Sequence, residues 1–403
     1  LGQPIDVITV QDTIDGNGEL SLLADKGGKD YLIELAKGTP SVANIESYAD
    51  IIKQRSNLRK LISTAEDISQ IARDSESSSS EQVIDHAEDR ILSLRDDVKR
   101  SIGPRGIKEI LGPVYARIQE SNESGNSLVG VSTGFETIDN ITLGFQKSDL
   151  IIIAGRPSMG KTALSFNIAE NVARQTDQTV LIFSMEMSSE QVVRRFISSI
   201  SNIDLQRLQR GDLEEGDWEG IDKALDVLSN KNILLDDTPA LDPSELRSRA
   251  RRIKREDRNL ALIVVDYLQL MQVYGKGDNR VAEISEISRS LKALAKELDV
   301  PVVALSQLNR AVETRPNKRP ILADLRDSGA IEQDADVIAF IYREEHYEPN
   351  NLENQGMAEI NIAKQRNGPT KSIRLAFRKT VAKFENLARE DNFPPKFYDE
   401  GED

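Results

Sequence analysis

The chain contains no cysteine and only two histidines among its 403 residues. Without cysteine, disulfides, thiolate catalysis and Cys-ligated zinc are impossible, and the two distant histidines, His86 and His346, offer little for a histidine-based metal site. The opening of the chain has no basic segment followed by an apolar one, and the longest apolar runs, such as Leu150 to Ala154, have the length of a strand rather than of a membrane span. These absences fit a reducing cytoplasm and argue against secretion and membrane insertion.

Positive charge is scarce as well. The chain has 52 Lys and Arg against 67 Asp and Glu, which gives a net charge of -15 at pH 7. A chain this acidic is repelled by phosphate polymers over most of its surface, so any nucleic-acid site has to be local. Apolar residues at 38% and charged residues at 30% are close to globular usage and exclude collagen-like, wholly disordered and membrane-spanning classes. At roughly 150 residues per domain, the length allows two or three domains.

Helical periodicity characterises the first part of the chain. Across residues 30–71 apolar residues recur at spacings of three and four, and Pro40 and Asn44 separate the two halves of this pattern. The pattern predicts a helical hairpin within residues 1–74, a partial N-terminal domain. Since the chain starts at Leu1 rather than Met, and its opening residues read like the middle of a domain, we expect a preceding segment to be missing.

A linker region is predicted at residues 75–127. It follows the polar, low-complexity run DSESSSS, and it contains a helical segment from Glu81 to about Arg95 and a break at residues 103–106. A further amphipathic segment, at about 107–120, is the predicted linker helix, and Pro113 should kink it or mark its true start. These breaks predict a jointed connection between two domains.

After Leu128 apolar strands alternate with helices, which is typical of α/β proteins. The intervening segments are long enough for right-handed crossovers, so residues 128–390 are predicted to form a mostly parallel sheet with helices on both faces, before an acidic tail at 391–403. One helix, from Glu283 to Leu298, carries an apolar stripe that we assign to the core rather than to a partner-binding coil. Asn367-Gly368 is a turn signal that predicts an added antiparallel hairpin. The predicted strands are Leu150–Ala154, Thr179–Ser184, Leu260–Val265, Val302–Leu305 and Val337–Ile341, and those of the hairpin are Glu359–Ala363 and Ser372–Phe377.

The run Gly155-Arg-Pro-Ser-Met-Gly-Lys161-Thr162 follows a predicted strand and precedes a helical stretch. It matches the phosphate-binding pattern G-x-x-x-x-G-K-[ST] in the context that this P-loop requires. Glycines let backbone N–H groups and the helix N-terminus face the phosphates, Lys161 supplies charge to the β and γ groups, and Thr162 supplies a hydroxyl to Mg²⁺. The alternative is a glycine-rich turn without a ligand. The predicted nucleotide-binding residues are Gly155, Ser158, Gly160, Lys161, Thr162, Ala163 and Asp266.

Three polar side chains follow strands at one predicted edge of the sheet, where the ligands of parallel sheets gather. Asp266 ends the strand that starts at Leu260 and is the candidate second ligand of Mg²⁺. Glu186 lies just beyond the strand that ends at Ser184 and is the candidate general base that polarises water. Gln307 follows a third strand, and an amide there can hydrogen-bond the γ-phosphate and report its loss. Either acid could instead cap a helix.

Further motifs accompany the P-loop, namely FSMEM at Phe183–Met187, VDYLQL at Val265–Leu270, ALSQLNR at Ala304–Arg310, DLRDSGAIEQDAD at Asp324–Asp336 and KQRNG at Lys364–Gly368. Together they resemble the bacterial replicative DNA helicases of the DnaB family, and the similarity covers residues 130–387. The resemblance implies a RecA-like P-loop ATPase core, ATP and Mg²⁺ as cofactors, and a homohexameric ring that moves 5′ to 3′ on single-stranded DNA. It also implies primase and a helicase loader as partners, and a place at the replisome of the nucleoid. The helical runs that precede the core resemble the later part of the family's N-terminal domain and its linker.

Lys364 and Arg366 lie two residues apart on a run that enters the Asn367-Gly368 turn. Both side chains should therefore leave one face of the strand near its tip and point outward together. A phosphoryl-transfer site needs an arginine on the γ-phosphate, and an arginine on a hairpin can be offered to a neighbouring subunit as an arginine finger. By resemblance, Arg366 is that finger and Lys364 is its companion. Without the resemblance, the two are read as solvated charges on an exposed hairpin.

The DNA-binding segment is harder to identify from composition. Residues 324–336 contain five acids and a single base, Arg326, which is a poor composition for binding phosphate. The resemblance nonetheless implies a single-strand contact on Arg326, Asp327 and Gly329, through the arginine side chain and backbone amides. Asp327 stands where relatives often have glutamate. A more basic run at residues 244–258 is interleaved with acids, and we favour a solvated helix face there over a nucleic-acid site.

Functions of different classes compete. The leading one is an ATP-driven hexameric helicase that separates strands at a replication fork. Another is a RecA-like recombinase or regulatory ATPase that assembles on DNA without unwinding it, and the helical N-terminal segment with its jointed linker favours the helicase. The last is a nucleotide-gated docking platform, and the intact catalytic set, with Lys161, Glu186 and Arg366 among it, argues against that as the sole role.

Overall fold

The computed structural model of the protein describes residues 30, 33–34, 45–74, 87, 90–91, 106–124, 128–257, 259–273 and 280–387. The chain divides into two compact units, Leu1–Leu111 and Gly112–Asp403, and the division falls within the predicted linker region. Among the described residues, every helix is too short or too polar to span a bilayer.

Helices and strands are numbered in chain order. The helices are α1 (Ile45–Asp74), α2 (Ile107–Ser124), α3 (Glu136–Thr142), α4 (Lys161–Gln175), α5 (Ser189–Ser201), α6 (Leu205–Arg210), α7 (Glu215–Ser229), α8 (Pro243–Glu256), α9 (Arg280–Leu298) and α10 (Gly329–Asp334). The strands are β1 (Leu150–Gly155), β2 (Thr179–Ser184), β3 (Ile233–Asp236), β4 (Leu260–Asp266), β5 (Val302–Gln307), β6 (Val337–Tyr342), β7 (Met357–Gln365), β8 (Lys371–Arg378) and β9 (Lys383–Glu385).

The first unit contains α1, a helix of 30 residues. It corresponds to the second half of the predicted helical hairpin. Residues 30 and 33–34 are also helical, and the rest of the hairpin's first half lies outside the described residues. Residues 87 and 90–91 are helical within the segment predicted from Glu81 to about Arg95, most of which likewise lies outside the described residues.

α2 is the predicted linker helix. It begins at Ile107, as predicted, and ends at Ser124, beyond the predicted end. Pro113 lies inside this 18-residue helix and does not mark its start. Because proline has no N–H to bond to the carbonyl four residues earlier, α2 has one backbone hydrogen bond fewer at this turn.

The second unit is built on a nine-stranded sheet in the order β3-β2-β4-β5-β1-β6-β7-β8-β9. The strands from β3 to β6 in that order are parallel, and β7, β8 and β9 extend the sheet in antiparallel pairs. The predicted mostly parallel sheet and its added hairpin are therefore confirmed. Since β1 lies between β5 and β6, the loop that follows β1 is flanked by the ends of other parallel strands.

The sequence pattern does not predict β3 and β9. These strands have four and three residues, and a run this short does not show the alternation that identifies a strand. Both lie at the edges of the sheet, and β3 is only partly buried. The five parallel strands that the sequence predicts are all present, and β2 has the predicted bounds.

The sheet separates two apolar cores. Successive residues of β1 face opposite sides, so that Ile151 packs into the core with α4 and Leu150 into the core with α9. The apolar stripe of α9 is buried in that second core, which confirms its predicted role. Its members Ile284, Ile287, Leu291 and Leu294 are buried, and Leu298 is partly buried against the same core.

The basic run at residues 244–258 lies in α8 as far as residue 256, and three of its arginines are paired within the unit. Arg247 and Arg251 form ion pairs with Glu297 on α9, and Arg249 pairs with Asp236 at the end of β3. The run is a helix face, as predicted, but these guanidinium groups are committed to neighbouring acids rather than free in solvent.

Candidate active site

The loop from Gly155 to Gly160 connects β1 to α4. Gly160 has a φ of +99°, a left-handed conformation that L side chains rarely adopt, and a Cβ there would lie 3.0 Å from the ring of Phe384. Glycine is therefore required by the backbone and by the close approach of β9. No side chain caps this end of α4, so the first N–H groups of the helix remain available to an anion.

Two buried arginines that the motifs do not identify hold this loop in place. Arg156 donates to the carbonyl of Leu308 at 2.8 Å and pairs with Glu313 at 2.9 Å. Arg343, at the end of β6, donates to the carbonyl of Ser158 at 3.0 Å. These contacts hold the loop from the ends of both neighbouring strands.

Lys161 projects from the first turn of α4 into the loop. Its Nζ donates to the carbonyls of Gly155 at 3.0 Å and Arg156 at 3.2 Å. Burial lowers the pKa of this amine to about 8, an effect that the carboxylates of Asp266 and Glu186 oppose. The amine is therefore mostly protonated at neutral pH and can attract a phosphate.

Asp266 ends β4 and lies opposite Ser184 in the pairing with β2. It is 1% exposed, and burial raises the pKa of its carboxyl to about 6, although a hydrogen bond with Thr162 lowers it. Its Oδ2 is buried and has no hydrogen-bond partner. A buried oxygen of this kind costs free energy unless a cation or donor reaches it.

The donor set at Asp266 and Thr162 fits Mg²⁺. This ion takes hard oxygen ligands and usually combines one or two carboxylates with substrate phosphates and water. Among the described residues, no cluster of three or more His, Cys, Asp or Glu residues could hold a metal. The further ligands of a Mg²⁺ ion there would have to come from a nucleotide or from water.

Glu186 lies two residues beyond β2 and is exposed at the same sheet edge. Its charge raises the pKa of Asp266. Neither acid caps a helix, because Ser188 is the N-cap of α5 and Tyr267 precedes the short helical turn after β4. The capping alternative is therefore wrong for both.

Lys161, Thr162 and Glu186 line a cavity of about 410 Å³, and Gly155 and Asp266 are not among its lining residues. The cavity brings together most of the predicted nucleotide-binding side chains with Glu186 and Gln307. It also contains residues that sequence reasoning missed, and Arg195 on α5 is the most informative of them. Burial lowers the pKa of Arg195, while Asp266 and Glu186 raise it. The sequence signal for Arg195 would have been an arginine on α5, the helix that follows β2 and Glu186. The lining residues are Pro157, Ser158, Gly160, Lys161, Thr162, Ala163, Glu186, Arg195, Tyr267, Gln307, Arg343, Phe377, Lys379 and Ala382.

Gln307 ends β5 directly beside Gly155 of β1. Its backbone N–H donates to Oε1 of Gln269 at 3.2 Å, and Nε2 of Gln269 donates to the hydroxyl of Ser306 at 3.0 Å. Gln269 therefore fixes the end of β5, and the Gln307 side chain lines the cavity as predicted.

Lys364 and Arg366 do not reach this cavity. In the pairing of β7 with β6, Lys364 lies opposite Ile338, near the start of β6. It therefore lies near the N-terminal ends of the parallel strands, whereas Lys161 lies near their C-terminal ends. Arg366 is 47% exposed and pairs with Asp336 at 3.2 Å. Both side chains donate to the carbonyl of Gln333 at the end of α10, so they leave in one direction, as expected. Lys364 is half-buried there and does not point outward, whereas Arg366 is exposed.

The predicted DNA-binding segment forms a short 3-10 helix at residues 322–328, followed by α10. The side chains of Arg326 and Asp327 lie outside the described residues, and Gly329 is exposed. Some of the acids that argue against DNA binding are neutralised internally. Asp324 accepts a hydrogen bond from Arg315 at 2.7 Å, and Asp336 forms ion pairs with Lys292 and with Arg366.

Two family models match the chain. The DnaB-like helicase C terminal domain matches residues 130–386, close to the stretch identified from the motifs, and the DnaB-like helicase N terminal domain matches residues 1–54. One match falls in each unit.

Curated relatives and solved structures agree with these matches. The chain is 49% identical over 394 residues to the replicative DNA helicase DnaB of Pasteurella multocida (strain Pm70), covering 96% of this chain and 84% of the relative. It is 46% identical to the replicative DNA helicase DnaB of Geobacillus stearothermophilus, covering 98% of this chain and 86% of the relative. A solved DnaB-like replicative helicase, described with its interactions with primase, superposes with a TM-score of 0.79 at 34% identity and covers 96% of this chain and 88% of its own. The ATPase domain of G40P superposes with a TM-score of 0.67 at 38% identity, covering 71% of this chain and 100% of its own.

Proposed function

Because the chain belongs to the DnaB-like helicase family and is an ATP-dependent replicative DNA helicase with a RecA-like core, we propose that it works as a homohexameric ring that moves 5′ to 3′ along single-stranded DNA. The observation that carries the proposal is the position of Arg366. It lies near the N-terminal ends of the parallel strands, whereas Lys161 lies near their C-terminal ends, so a subunit does not complete its own phosphate site. A closed ring in which each subunit offers a P-loop to one neighbour and Arg366 to the other supplies both parts.

The binding half of the site consists of P-loop residues and Asp266. Backbone N–H groups at the start of α4 cradle the phosphates, and the Lys161 amine leaves its loop carbonyls for the β and γ groups. Thr162 and Asp266 hold Mg²⁺, which spreads the charge of the phosphates when it is bound. The partnerless Oδ2 of Asp266 supports this assignment.

The hydrolytic half consists of Glu186, Gln307 and a neighbour's Arg366. Glu186 orients a water molecule and accepts its proton as the oxygen attacks the γ-phosphorus, while the bond to the bridging oxygen breaks and ADP leaves. Arg366 stabilises the charge that develops on the γ-phosphoryl oxygens. Gln307 contacts the γ-phosphate and transmits its loss along β5.

Single-stranded DNA contacts Arg326, Asp327 and Gly329 in the channel of the ring. The internal pairing of Asp324 and Asp336 supports this assignment, because it removes two negative charges from the segment that would face the phosphates. Backbone N–H groups and one arginine then suffice for a contact that does not depend on base sequence.

Residues 1–74 form the partial N-terminal domain, 75–127 the linker region, 128–390 the ATPase domain and 391–403 an acidic tail. One solved relative is described with its interactions with primase, and we extend primase, together with a helicase loader, to this chain as partners. As a replicative helicase it acts at the replisome, on the cytoplasmic nucleoid. No observation favours the recombinase or docking-platform alternatives over this function.

Unwinding of a forked duplex tests the proposal. With ATP and Mg²⁺, a fork with only a 5′ tail should be unwound and a fork with only a 3′ tail should not. Light scattering should give the mass of a homohexamer. Lys161→Ala should abolish hydrolysis and unwinding while leaving the circular-dichroism spectrum intact, because this charge serves the ligand rather than the core. Unwinding from the 3′ tail alone, or hydrolysis by Lys161→Ala at the wild-type rate, would contradict the proposal.

A further inference from the structure

The short strand β9 is held in place by a buried side chain of α4. β9 has three residues and is the last strand of the sheet, where it pairs with β8. The backbone N–H of Phe384 in β9 donates to Oδ1 of Asn167 in α4 at 2.8 Å. Both residues are buried. Since a buried N–H without an acceptor is costly, Asn167 helps to set where β9 lies.

A chain of buried hydrogen bonds fixes the direction in which the Asn167 amide faces. Its Nδ2 donates to the hydroxyl of Ser199 at 3.2 Å, and that hydroxyl donates to Oε2 of Glu170 at 3.0 Å. Arg174 donates to the other oxygen of Glu170 at 3.1 Å. An ionised carboxylate only accepts and a hydroxyl has one hydrogen, so Ser199 donates to Glu170 and accepts from Asn167. The Oδ1 atom of Asn167 is therefore the one that meets the N–H of Phe384.

The ring of Phe384 connects β9 to the P-loop. A Cβ on Gly160 would lie 3.0 Å from that ring, so the ring lies against the loop. The rings of Phe384 and Phe377 are 4.5 Å apart, and Phe377 lines the cavity of the candidate active site. The guanidinium of Arg343 lies 4.3 Å from the centre of the Phe377 ring and donates to the carbonyl of Ser158 at 3.0 Å. The aromatic pair thus reaches the loop directly at Gly160 and, through Arg343, at Ser158.

We propose that Asn167 is a positioning residue for nucleotide binding, which fixes β9 so that Phe384 holds the P-loop in the conformation that accepts phosphates. This inference rests on the proposed function, since it takes the P-loop as the nucleotide site. Asn167 lies seven positions beyond Gly160, about 10 Å along α4, and is not among the residues that line the cavity. It therefore acts through β9 and not by touching the nucleotide.

The expected defect is one of binding rather than of chemistry. The P-loop holds the phosphates in the ground state and in the transition state alike, so a displaced loop weakens both, and KM rises while kcat is kept. The groups assigned to proton transfer and charge stabilisation lie on other elements, because Glu186 follows β2 and Arg366 follows β7. β8 lies between β9 and β7 in the sheet, and β2 is farther away still. A displacement of β9 should leave both groups in place.

The test measures binding of the β,γ-imido analogue of ATP with Mg²⁺, and steady-state ATP hydrolysis, by the full chain. Asn167→Leu keeps the approximate size of the side chain and removes both hydrogen bonds, so Kd and KM should rise about tenfold and kcat should stay within about twofold. Asn171→Leu is the matched control. Asn171 lies one turn further along α4, and its Nδ2 donates to the carbonyl of Thr133 at 3.0 Å. This variant also loses a side-chain hydrogen bond, but it should bind the analogue as the wild type does.

A double-mutant cycle with Phe384→Leu separates positioning from a general loss of stability. Phe384→Leu keeps the N–H bond to Asn167 and removes the ring from Gly160, so it should raise Kd by itself. If Asn167 acts through that ring, the double variant should bind no more weakly than Phe384→Leu alone, because coupled substitutions are not additive. Urea unfolding of each variant shows that the protein is folded where binding is measured. Phe384→Leu also tests the proposal if Asn167→Leu does not fold.

The outcomes that would overturn the proposal are distinct. Wild-type affinity in Asn167→Leu or in Phe384→Leu would show that β9 does not position the loop. Fully additive effects on Kd, or an equal loss of affinity in Asn171→Leu, would show that Asn167 supports only the fold. Failure of the proposed function looks different, because Lys161→Ala would then bind the analogue as tightly as the wild type.

Discussion

Asp266 and Glu186 are carboxylates at neighbouring strand ends, but their environments differ. Asp266 is buried with a partnerless oxygen and a pKa raised to about 6, whereas Glu186 is exposed to the cavity. A buried carboxylate that needs a cation suits a metal ligand, and an accessible one suits proton transfer from water. Environment rather than residue type divides the two roles.

Glu186→Gln should separate binding from chemistry. The amide keeps the shape and hydrogen bonding of the side chain but cannot accept the proton, so turnover should fall by about 10²-fold or more while nucleotide still binds. Steady-state hydrolysis and equilibrium nucleotide binding are the measurements. Glu190→Gln is the control, because Glu190 lies exposed on α5 and pairs with Arg194 at 3.6 Å. Unchanged turnover in Glu186→Gln would assign the water to another residue.

The pKa of Asp266 predicts how stability depends on pH when Mg²⁺ and nucleotide are removed with a chelator. The folded carboxyl holds its proton up to about pH 6 and the unfolded one releases it near 3.8, so the folded state binds more protons in that window and the free energy of unfolding falls as pH rises through it. Asp266→Asn cannot ionise and should show a shallower fall in urea unfolding between about pH 4 and about pH 7. Asp149, whose pKa burial also raises to about 6, and Glu170, whose pKa burial also raises, contribute to the slope that remains.

Asp222→Asn is the control for this experiment, because Asp222 is exposed on α7. The free energy of unfolding of Asp222→Asn should change with pH as that of the wild type does. A profile for Asp266→Asn as steep as the wild type's would contradict burial as the cause of the slope.

At the scale of secondary-structure elements, the length of an element and the repeat of its apolar residues decide whether the sequence predicts it. The stripe of α9 repeats over a 19-residue helix and is recognisable as core. β3 and β9, with four and three residues, are too short for any period to emerge. Yet β9 contributes Phe384, whose ring closes on Gly160 of the P-loop. Part of the site therefore depends on β9, a strand that the sequence pattern does not predict.

Leu291→Ala should destabilise the second unit. Leu291 is 1% exposed in the core between α9 and the sheet, and removing a buried leucine side chain costs about 2–5 kcal/mol through lost burial and the cavity left behind. Val281→Ala on the same helix is the control, since Val281 is 50% exposed and should change the free energy of unfolding by only about 0.5 kcal/mol. Urea unfolding measures both. Equal effects of the two substitutions would show that the stripe is not core.

At the scale of the whole molecule, the groups needed for hydrolysis are divided between the two ends of the parallel strands. Lys161, Asp266 and Glu186 lie at the carboxyl ends of parallel strands, and Arg366 lies beside the beginning of β6. A rigid sheet cannot bring these ends together within one subunit. The split therefore predicts sites shared between subunits.

Mixing inactive variants tests this division. Arg366→Ala and Lys161→Ala should each abolish hydrolysis alone, but a mixed ring contains some interfaces that pair an intact P-loop with an intact arginine finger. Partial ATPase activity should therefore return after subunits exchange, and mixing ratios report how many intact interfaces are needed. Two preparations of Lys161→Ala mixed together are the control and should stay inactive. Normal hydrolysis by Arg366→Ala rings alone would refute the finger assignment.

By itself, the sequence determined the family, the P-loop, the strand-end positions of Asp266, Glu186 and Gln307, and the parallel sheet with its hairpin. These features are readable because each depends on residues close together in the chain, namely a loop between a strand and a helix, or a polar residue directly after an apolar run. Only the tertiary structure decided which distant residues support them. Arg156 bonds a carbonyl 152 positions away, and Lys364 and Arg366 donate to carbonyls at the end of α10. Such contacts follow from the order of strands in the sheet, and local pattern does not specify which strand ends or hairpin will meet a given side chain.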